Sequence, residues 1–116
     1  MEHNSGMDER RVNTRYPTIA KVRIADADSG EILLKDISVT GCCVECATPV
    51  EVELNMQYIL KVIPESDTKI GDFDLLVLSK WVRDGSYSHE IGFNIIESPK
   101  GKQFQRYVDY LSLLHS

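Results

Sequence analysis

Residues 31–47, EILLKDISVTGCCVECA, contain the pattern from which the fold of this 116-residue chain can be predicted. Aliphatic and β-branched residues dominate 31–38 and 42–47, and the Thr40-Gly41 corner separates the two runs. Short runs of this composition, bounded by turn residues, are typical of β-strands. We therefore predict that 31–38 and 42–47 form an antiparallel hairpin.

Segments on both sides of this hairpin have the same character. In residues 18–25, the apolar Ala20, Val22 and Ile24 alternate with charged residues, as in a half-buried strand. Further strands are predicted over 57–63, 73–82 and 89–96, with turns at 26–30, 64–72 and 84–86. Six antiparallel strands fit a small closed barrel, which leaves no exposed edge. The predicted fold class is all-β.

The periodicity changes after the sixth strand. Ser98 is a candidate helix cap, and Pro99 suits the first helical position. Apolar residues then recur at helical spacing, at Phe104, Tyr107, Val108, Leu111 and Leu114. We predict a C-terminal helix over 98–115 that packs this stripe on the barrel.

Composition narrows the classes of function. With 42% hydrophobic and 27% charged residues, the chain is typical of one globular domain. Its apolar runs are too short for a membrane span, and its polar N-terminus lacks the apolar core of a signal peptide, so we expect a cytoplasmic protein. A net charge of −5 argues against a DNA or RNA partner, because nucleic-acid binders rely on broad positive surfaces.

Three cysteines invite a metal or redox interpretation. Cys43 and Cys46 have C-x-x-C spacing, but residues three apart on a strand face opposite sides. We expect Cys42, Val44 and Cys46 to point toward the core and Cys43 to point outward. No second ligand pair and no catalytic motif accompany them, so we predict no metal, no cofactor and no enzyme activity, with a thiol or zinc protein as the minor alternative.

The N-terminal arm carries a cluster of arginines. Arg10, Arg11 and Arg15 lie within six residues on a segment without apolar periodicity. A guanidinium group can grip phosphate oxygens or a guanine edge with two bonds and can stack on a purine. The cluster is therefore a candidate anion clamp, and a solvated basic arm is the alternative.

A second polar group lies at the end of the second predicted strand. Alternation predicts that Asp36 and Ser38 project on one face while Ile37 enters the core. A carboxylate there can accept hydrogen bonds from the N1–H and N2–H₂ edge of guanine, and Gly41 would let the backbone approach a ligand. The alternative is that Asp36 and Ser38 only shape the hairpin turn.

Taken together, the two motifs resemble those of the PilZ domain family. Arg11 and Arg15 match its Arg-x-x-x-Arg motif, and Asp36, Ser38 and Gly41 match its Asp/Asn-x-Ser-x-x-Gly motif one strand later. The resemblance implies a six-stranded barrel that binds cyclic di-GMP, with an N-terminal arm that wraps onto the barrel. Arginines would contact phosphate and guanine, and the second motif would read the guanine edge.

The likeness extends from about residue 8 to the end of the chain. Trp81, the Gly92-Phe93 pair and the closing helix also look like the family. By resemblance Arg10 could help to hold a stacked pair of ligands, so two molecules per site are expected. Trp81 could stack on a base with Arg83 on the same strand face, whereas a lone Trp in a strand is otherwise a core residue.

The resemblance also implies a division of the chain. A flexible tail over 1–10 precedes a PilZ-like domain over 11–116, with the arm at 10–17, the barrel at 18–97 and the helix at 98–115. The predicted function is a cyclic di-GMP receptor that orders its arm on binding and signals to a protein partner. The alternative is a PilZ-like interaction domain that works without ligand.

Overall fold

The strands of the chain form one continuous antiparallel sheet in a computed structural model, which describes residues 14–25 and 30–115. In chain order the strands are β1 (Tyr16–Pro17), β2 (Lys21–Ile24), β3 (Ile32–Ile37), β4 (Gly41–Cys46), β5 (Gln57–Ile63), β6 (Phe73–Asp84) and β7 (His89–Glu97). A single 3₁₀ turn, Ser66–Thr68, lies between β5 and β6, and helix α1 (Lys102–Leu114) follows β7.

Six of the strands close into a barrel. The order of hydrogen-bonded neighbours is β3-β2-β5-β6-β7-β4, and β4 pairs back onto β3. Strand β1 continues the same edge of β3 on which β2 lies, with Tyr16 opposite Ile37 and Pro17 opposite Asp36. The prediction of a six-stranded antiparallel barrel with a C-terminal helix is therefore confirmed, and β1 is an additional short strand in the segment predicted as the arm.

The core fills the interior of the barrel, as the period-2 patterns predict. Val22 and Ile24 of β2 are buried while Lys21 and Arg23 are exposed. The fully buried side chains of the other strands include Leu34, Ile37, Cys42, Val44, Leu60, Val62, Leu75, Val77, Ile91 and Phe93. A barrel of this size is filled by its own side chains, so a ligand site must lie on its outside.

Several strand bounds differ from those predicted. The first predicted strand, 18–25, is interrupted because the Thr18 hydroxyl accepts a hydrogen bond from the Ala20 amide at 3.1 Å, which takes that amide out of the ladder. Regular pairing resumes at Lys21. At the other end of the barrel, β6 runs two residues past its predicted end, to Asp84, because the β6–β7 hairpin stays paired as far as His89.

The predicted start of the helix is wrong. Ser98 does not cap it, because its hydroxyl donates to the Asp74 carbonyl at 2.6 Å and so ties the end of β7 to β6. Lys100 then adopts a left-handed conformation with φ 53°, and the helix begins at Lys102 after Gly101 as N-cap. Pro99 therefore lies in a turn and does not occupy the first helical position.

Most of the predicted apolar stripe packs on the barrel. Tyr107, Val108 and Leu111 are buried, and the Phe73 ring lies 5.7 Å from the Phe104 ring, centroid to centroid. Leu114, predicted in the stripe, is 60% exposed and so does not pack on the barrel. The helix therefore closes one side of the core, where Phe104 and Tyr107 pack on Phe73 of β6.

Candidate functional site

A row of four residues crosses the outer face of the barrel. The registers place Asp36 of β3 opposite Cys43 of β4, Cys43 opposite Gly92 of β7, and Gly92 opposite Trp81 of β6. Neighbouring strands lie about 4.8 Å apart, so this row spans about 14 Å. We call these four residues the platform. It brings together residues that are up to 56 positions apart in the chain.

A β-bulge in β3 shapes one end of the platform. The pairing with β4 shifts between Leu34 and Asp36, so Lys35 is an extra residue on this strand. Leu34 and Ile37 are both fully buried, whereas Lys35 is exposed and Asp36 is half-buried. The bulge therefore turns two consecutive polar side chains outward without removing an apolar side chain from the core.

Arg15 lies against the same end. Its Nη1 donates to Asp36 Oδ1 at 2.8 Å, in an ion pair whose side chains are 44% and 29% exposed. Its guanidinium also packs on Gly41, where an added Cβ would lie 2.8 Å from Arg15 Nη2 and 3.0 Å from the Phe93 carbonyl oxygen. Gly41 thus leaves room for the arginine of the first motif beside the carboxylate of the second.

Alternation predicted that Ser38 would project beside Asp36, and this prediction is wrong. Ser38 is 1% exposed, and its hydroxyl accepts hydrogen bonds from the amides of Thr40 and Gly41, both at 3.1 Å. The strand ends at Ile37 and the chain turns, so the period-2 rule no longer applies. Ser38 therefore holds the turn that presents Gly41 to Arg15, and its predicted contact with a ligand stays a prediction.

Trp81 forms the other end of the platform and is not a core residue. It is 38% exposed, and its indole lies on Gly92, where an added Cβ would be 2.1 Å from the ring. The guanidinium carbon of Arg83 lies 5.1 Å from the centre of the Trp81 ring, so the two side chains share a face as predicted. Glycine at position 92 is what allows the indole to lie flat against the sheet.

Sequence reasoning missed two residues beside the platform, Lys35 and Glu90. Glu90 Oε2 accepts from the Lys35 ammonium, and Glu90 Oε1 accepts from Arg83 Nη1 at 3.3 Å. The Glu90 side chain is only 13% exposed. Alternation along β7 could have placed Glu90 on the face of Gly92, but its partners depend on a bulge and on strand registers that the sequence does not reveal.

Cys43 faces outward, as predicted, but it is only 4% exposed because charged neighbours cover it. Burial, together with the carboxylates of Asp36 and Glu90, raises the pKa of the Cys43 thiol to about 11. The thiol is therefore protonated at neutral pH and forms an apolar floor for the platform. Cys42 and Cys46 point into the core, as expected.

The root of the arm is fixed to the C-terminal helix. The Tyr16 ring stacks on His115 with centroids 6.3 Å apart, and Thr18 shares a hydrogen bond with the Tyr107 hydroxyl, which also donates to Glu65 Oε1 at 2.9 Å. Burial raises the pKa of Tyr107 well above its usual value. These contacts hold the chain directly after Arg15 at a defined place on the barrel.

Of the predicted site residues, the structure brings Arg15, Asp36 and Gly41 together at one end of the platform. It places Trp81 and Arg83 at the other end. Arg10 and Arg11, together with the predicted tail, lie outside the described residues.

Two further features bear on the class of protein. Within residues 14–25 and 30–115, no cluster of three or more His, Cys, Asp or Glu side chains is placed to hold a metal ion. In the same ranges, no helix has the length and apolar character needed to cross a membrane.

Comparison with known proteins identifies the fold. No family model matches the chain, and no curated protein matches it in sequence. The solved structures that are similar to it include the following two, each at 17% identity. The inhibitor of motility MotI/DgrA of Bacillus subtilis matches with a TM-score of 0.70 over 87% of this chain and 48% of its own. The PilZ domain of YcgR from Escherichia coli, solved with c-di-GMP, matches with a TM-score of 0.63 over 88% of this chain and 91% of its own.

The likeness to YcgR covers nearly the whole of both chains, whereas this chain spans about half the length of the MotI/DgrA structure. The chain is a PilZ-like domain by fold.

Proposed function

We propose that this chain binds cyclic di-GMP on the platform and its flanking cations. The observation that carries the proposal is that Arg15 of the first motif, Asp36 of the second and Trp81 lie on one outer face. Arg15 pairs with Asp36 at one end, and the indole lies on Gly92 at the other. The PilZ domain of YcgR, which was solved with c-di-GMP, supports the choice of ligand.

The chemistry of the face suits a guanine nucleotide. An ionised carboxylate has about four acceptor sites, so Asp36 can accept from guanine N1–H and N2–H₂ while it holds Arg15. Arg15 can share its guanidinium with a phosphate oxygen or with guanine O6 and N7. Trp81 is 38% exposed, and a base can stack on its indole in place of the Arg83 guanidinium that lies over the ring.

The arm completes the site in this proposal. Arg11 contacts phosphate or guanine when the arm wraps onto the barrel, and Arg10 helps to hold a second, stacked molecule of ligand. Ser38 supports the site through the turn that presents Gly41. Because Tyr16 and Thr18 fix the root of the arm to the helix, wrapping moves only the chain before Arg15.

The consequence of binding is a change of surface and not a reaction. We propose a cytoplasmic receptor that signals to a protein partner through its ordered arm, without catalysis, metal or cofactor.

Calorimetric titration of the purified chain with cyclic di-GMP tests this function. Saturable binding is expected, with cyclic di-AMP weaker by about 1–3 kcal/mol, because adenine would leave the Asp36 carboxylate without its donors in a desolvated site. Equal affinity for both dinucleotides would overturn the role of Asp36. Absence of any binding heat, together with unchanged melting temperature in saturating ligand, would favour the interaction domain that works without ligand.

A further inference from the structure

Lys35, Arg83 and Glu90 form a charged group beside the platform that the motifs of the sequence do not include. Two cations meet on the two oxygens of one carboxylate, Lys35 on Oε2 and Arg83 on Oε1. Arg83 simultaneously covers the Trp81 ring. The group therefore lies beside the indole on which a base is proposed to stack.

We propose that Lys35 and Arg83 bind ligand phosphate, and that Glu90 is the positioning residue that holds both cations at the platform. The inference rests on the proposed function and extends it, because it adds a contact and an anchor that neither motif contains. Arg15 supplies the cation at the Asp36 end, so the ligand meets positive charge at both ends of the platform.

The bulge in β3 is the structural basis of this assignment. On a regular strand, residues 35 and 36 would face opposite sides, so an outward Asp36 would place Lys35 in the core. The extra residue lets both point outward while Leu34 and Ile37 remain fully buried. Lys35 then reaches across β4 to Glu90 on β7 and covers the Cys43 thiol on the way.

The cations of this face offset its carboxylates. Arg15, Lys35 and Arg83 face Asp36 and Glu90, and Glu45 lies opposite Glu90 and acts on Lys35, so positive and negative groups are equal in number on a chain whose net charge is −5. A ligand with two phosphate charges can share these cations with the carboxylates. Because the Glu90 side chain is only 13% exposed, its position is defined before a ligand arrives.

The barrel provides a matched control. Lys61 of β5 also forms an ion pair across strands, from Nζ to Asp74 Oδ1 at 3.4 Å, and its side chain is 49% exposed, the same as that of Lys35. This pair lies on β5 and β6, away from the platform. Lys61→Met thus removes an equally exposed, paired ammonium without touching the proposed site.

Calorimetric titration with cyclic di-GMP at low and high sodium chloride tests the contact. Lys35→Met is expected to weaken binding about 10-fold at low salt and to reduce its dependence on salt, because a screened charge has been removed. Lys35→Gln is expected to do the same, and Lys61→Met is expected to leave affinity and salt dependence unchanged. Melting temperatures without ligand identify any variant that has lost its fold.

A double-mutant cycle tests the anchor. Glu90→Gln is expected to weaken binding several-fold in the wild-type background and clearly less in the Lys35→Met background, because it acts partly through Lys35. A merely structural role would give equal losses in both backgrounds and would refute the positioning of Lys35 by Glu90.

The outcomes separate this inference from the function on which it rests. If the wild-type chain binds cyclic di-GMP and Lys35→Met and Lys35→Gln bind as tightly, Lys35 is not a phosphate contact and the inference is wrong while the proposed function stands. If the wild-type chain does not bind, both fall.

Discussion

The two faces of the β3–β4 hairpin are formed by the same two strands but carry different kinds of side chain. The inner face carries Leu34, Ile37, Cys42 and Val44, each with no exposed surface. The outer face carries charged and polar groups, such as Asp36, that contact one another and the solvent. Substitutions on the inner face should therefore change stability, and substitutions on the outer face should change binding.

This difference has a physical basis. A buried aliphatic side chain has no alternative partner, so its loss leaves a cavity that the barrel cannot fully close. An exposed ion pair such as Arg15–Asp36 contributes only about 0–1 kcal/mol to folding, because water screens it and two long side chains must be ordered. Side chains of the outer face can therefore serve ligand recognition with little effect on the free energy of unfolding.

The largest effect is expected from the inner face. Ile37→Ala should lower the free energy of unfolding by about 2–5 kcal/mol through the cavity that it leaves. Val39→Ala, two residues on and 37% exposed, is the control and should change it by about 0.5 kcal/mol or less. Urea denaturation of both variants measures the difference, and equal destabilisation would contradict the division between the faces.

Arg15→Ala should show the opposite behaviour. Loss of charge-assisted bonds to ligand, worth about 1.5–3 kcal/mol, should weaken cyclic di-GMP binding by about 10–100-fold. The melting temperature without ligand should hardly move, because the ion pair with Asp36 is exposed. The sequence predicts the same for Arg11→Ala. Should the arginine variants melt early and keep their affinity, the arm is structural and the site assignment is wrong.

Gly92→Ala tests whether the indole must lie flat on the sheet. The added Cβ would meet the Trp81 ring at 2.1 Å, so the partly exposed indole must swing toward solvent. We expect red-shifted tryptophan fluorescence and about 10-fold weaker binding, with a loss of stability of about 1 kcal/mol or less. Gly71→Ala, where the nearest atom is 3.7 Å away, is the control, and an unchanged affinity in Gly92→Ala would remove Trp81 from the site.

The effect that is smallest near neutral pH concerns the buried Cys42. Burial raises the pKa of this thiol from its ordinary 9.0 to about 12 in the folded chain. Between these values the unfolded chain has lost a proton that the folded chain keeps, so stability falls as pH rises, by about 1.4 kcal/mol per unit at most. Below pH 9 the effect is absent. Cys42→Val should flatten the alkaline fall of stability measured by urea denaturation, and an unchanged slope would contradict the assignment.

The fold could be predicted because each strand is amphipathic in the same simple way. The alternation of Val22 and Ile24 with Lys21 and Arg23 appears unchanged in the burial of β2. Predictions were wrong at the ends of elements, where competing local hydrogen bonds decide. The Ser98 hydroxyl donates to the Asp74 carbonyl across the sheet and so does not cap the helix. This hydrogen bond depends on the position of a residue 24 places earlier in the chain.

The candidate site was predicted in part. The motifs include Arg15 and Asp36 without predicting their ion pair, and strand parity predicts the shared face of Trp81 and Arg83. Lys35 and Glu90 were missed, because a bulge brings Lys35 outward and the partners of Glu90 depend on that bulge and on strand registers that the sequence does not reveal.

The sequence by itself determined which residues are apolar and at what period, and therefore the six strands of the barrel, the inner face and the two polar motifs. Only the tertiary structure decided which outward side chains meet. Barrel closure sets the registers that align Asp36, Cys43, Gly92 and Trp81 in one row. The physical reason is that burial follows from local alternation, whereas contact across strands depends on bulges and pairings between residues far apart in the chain.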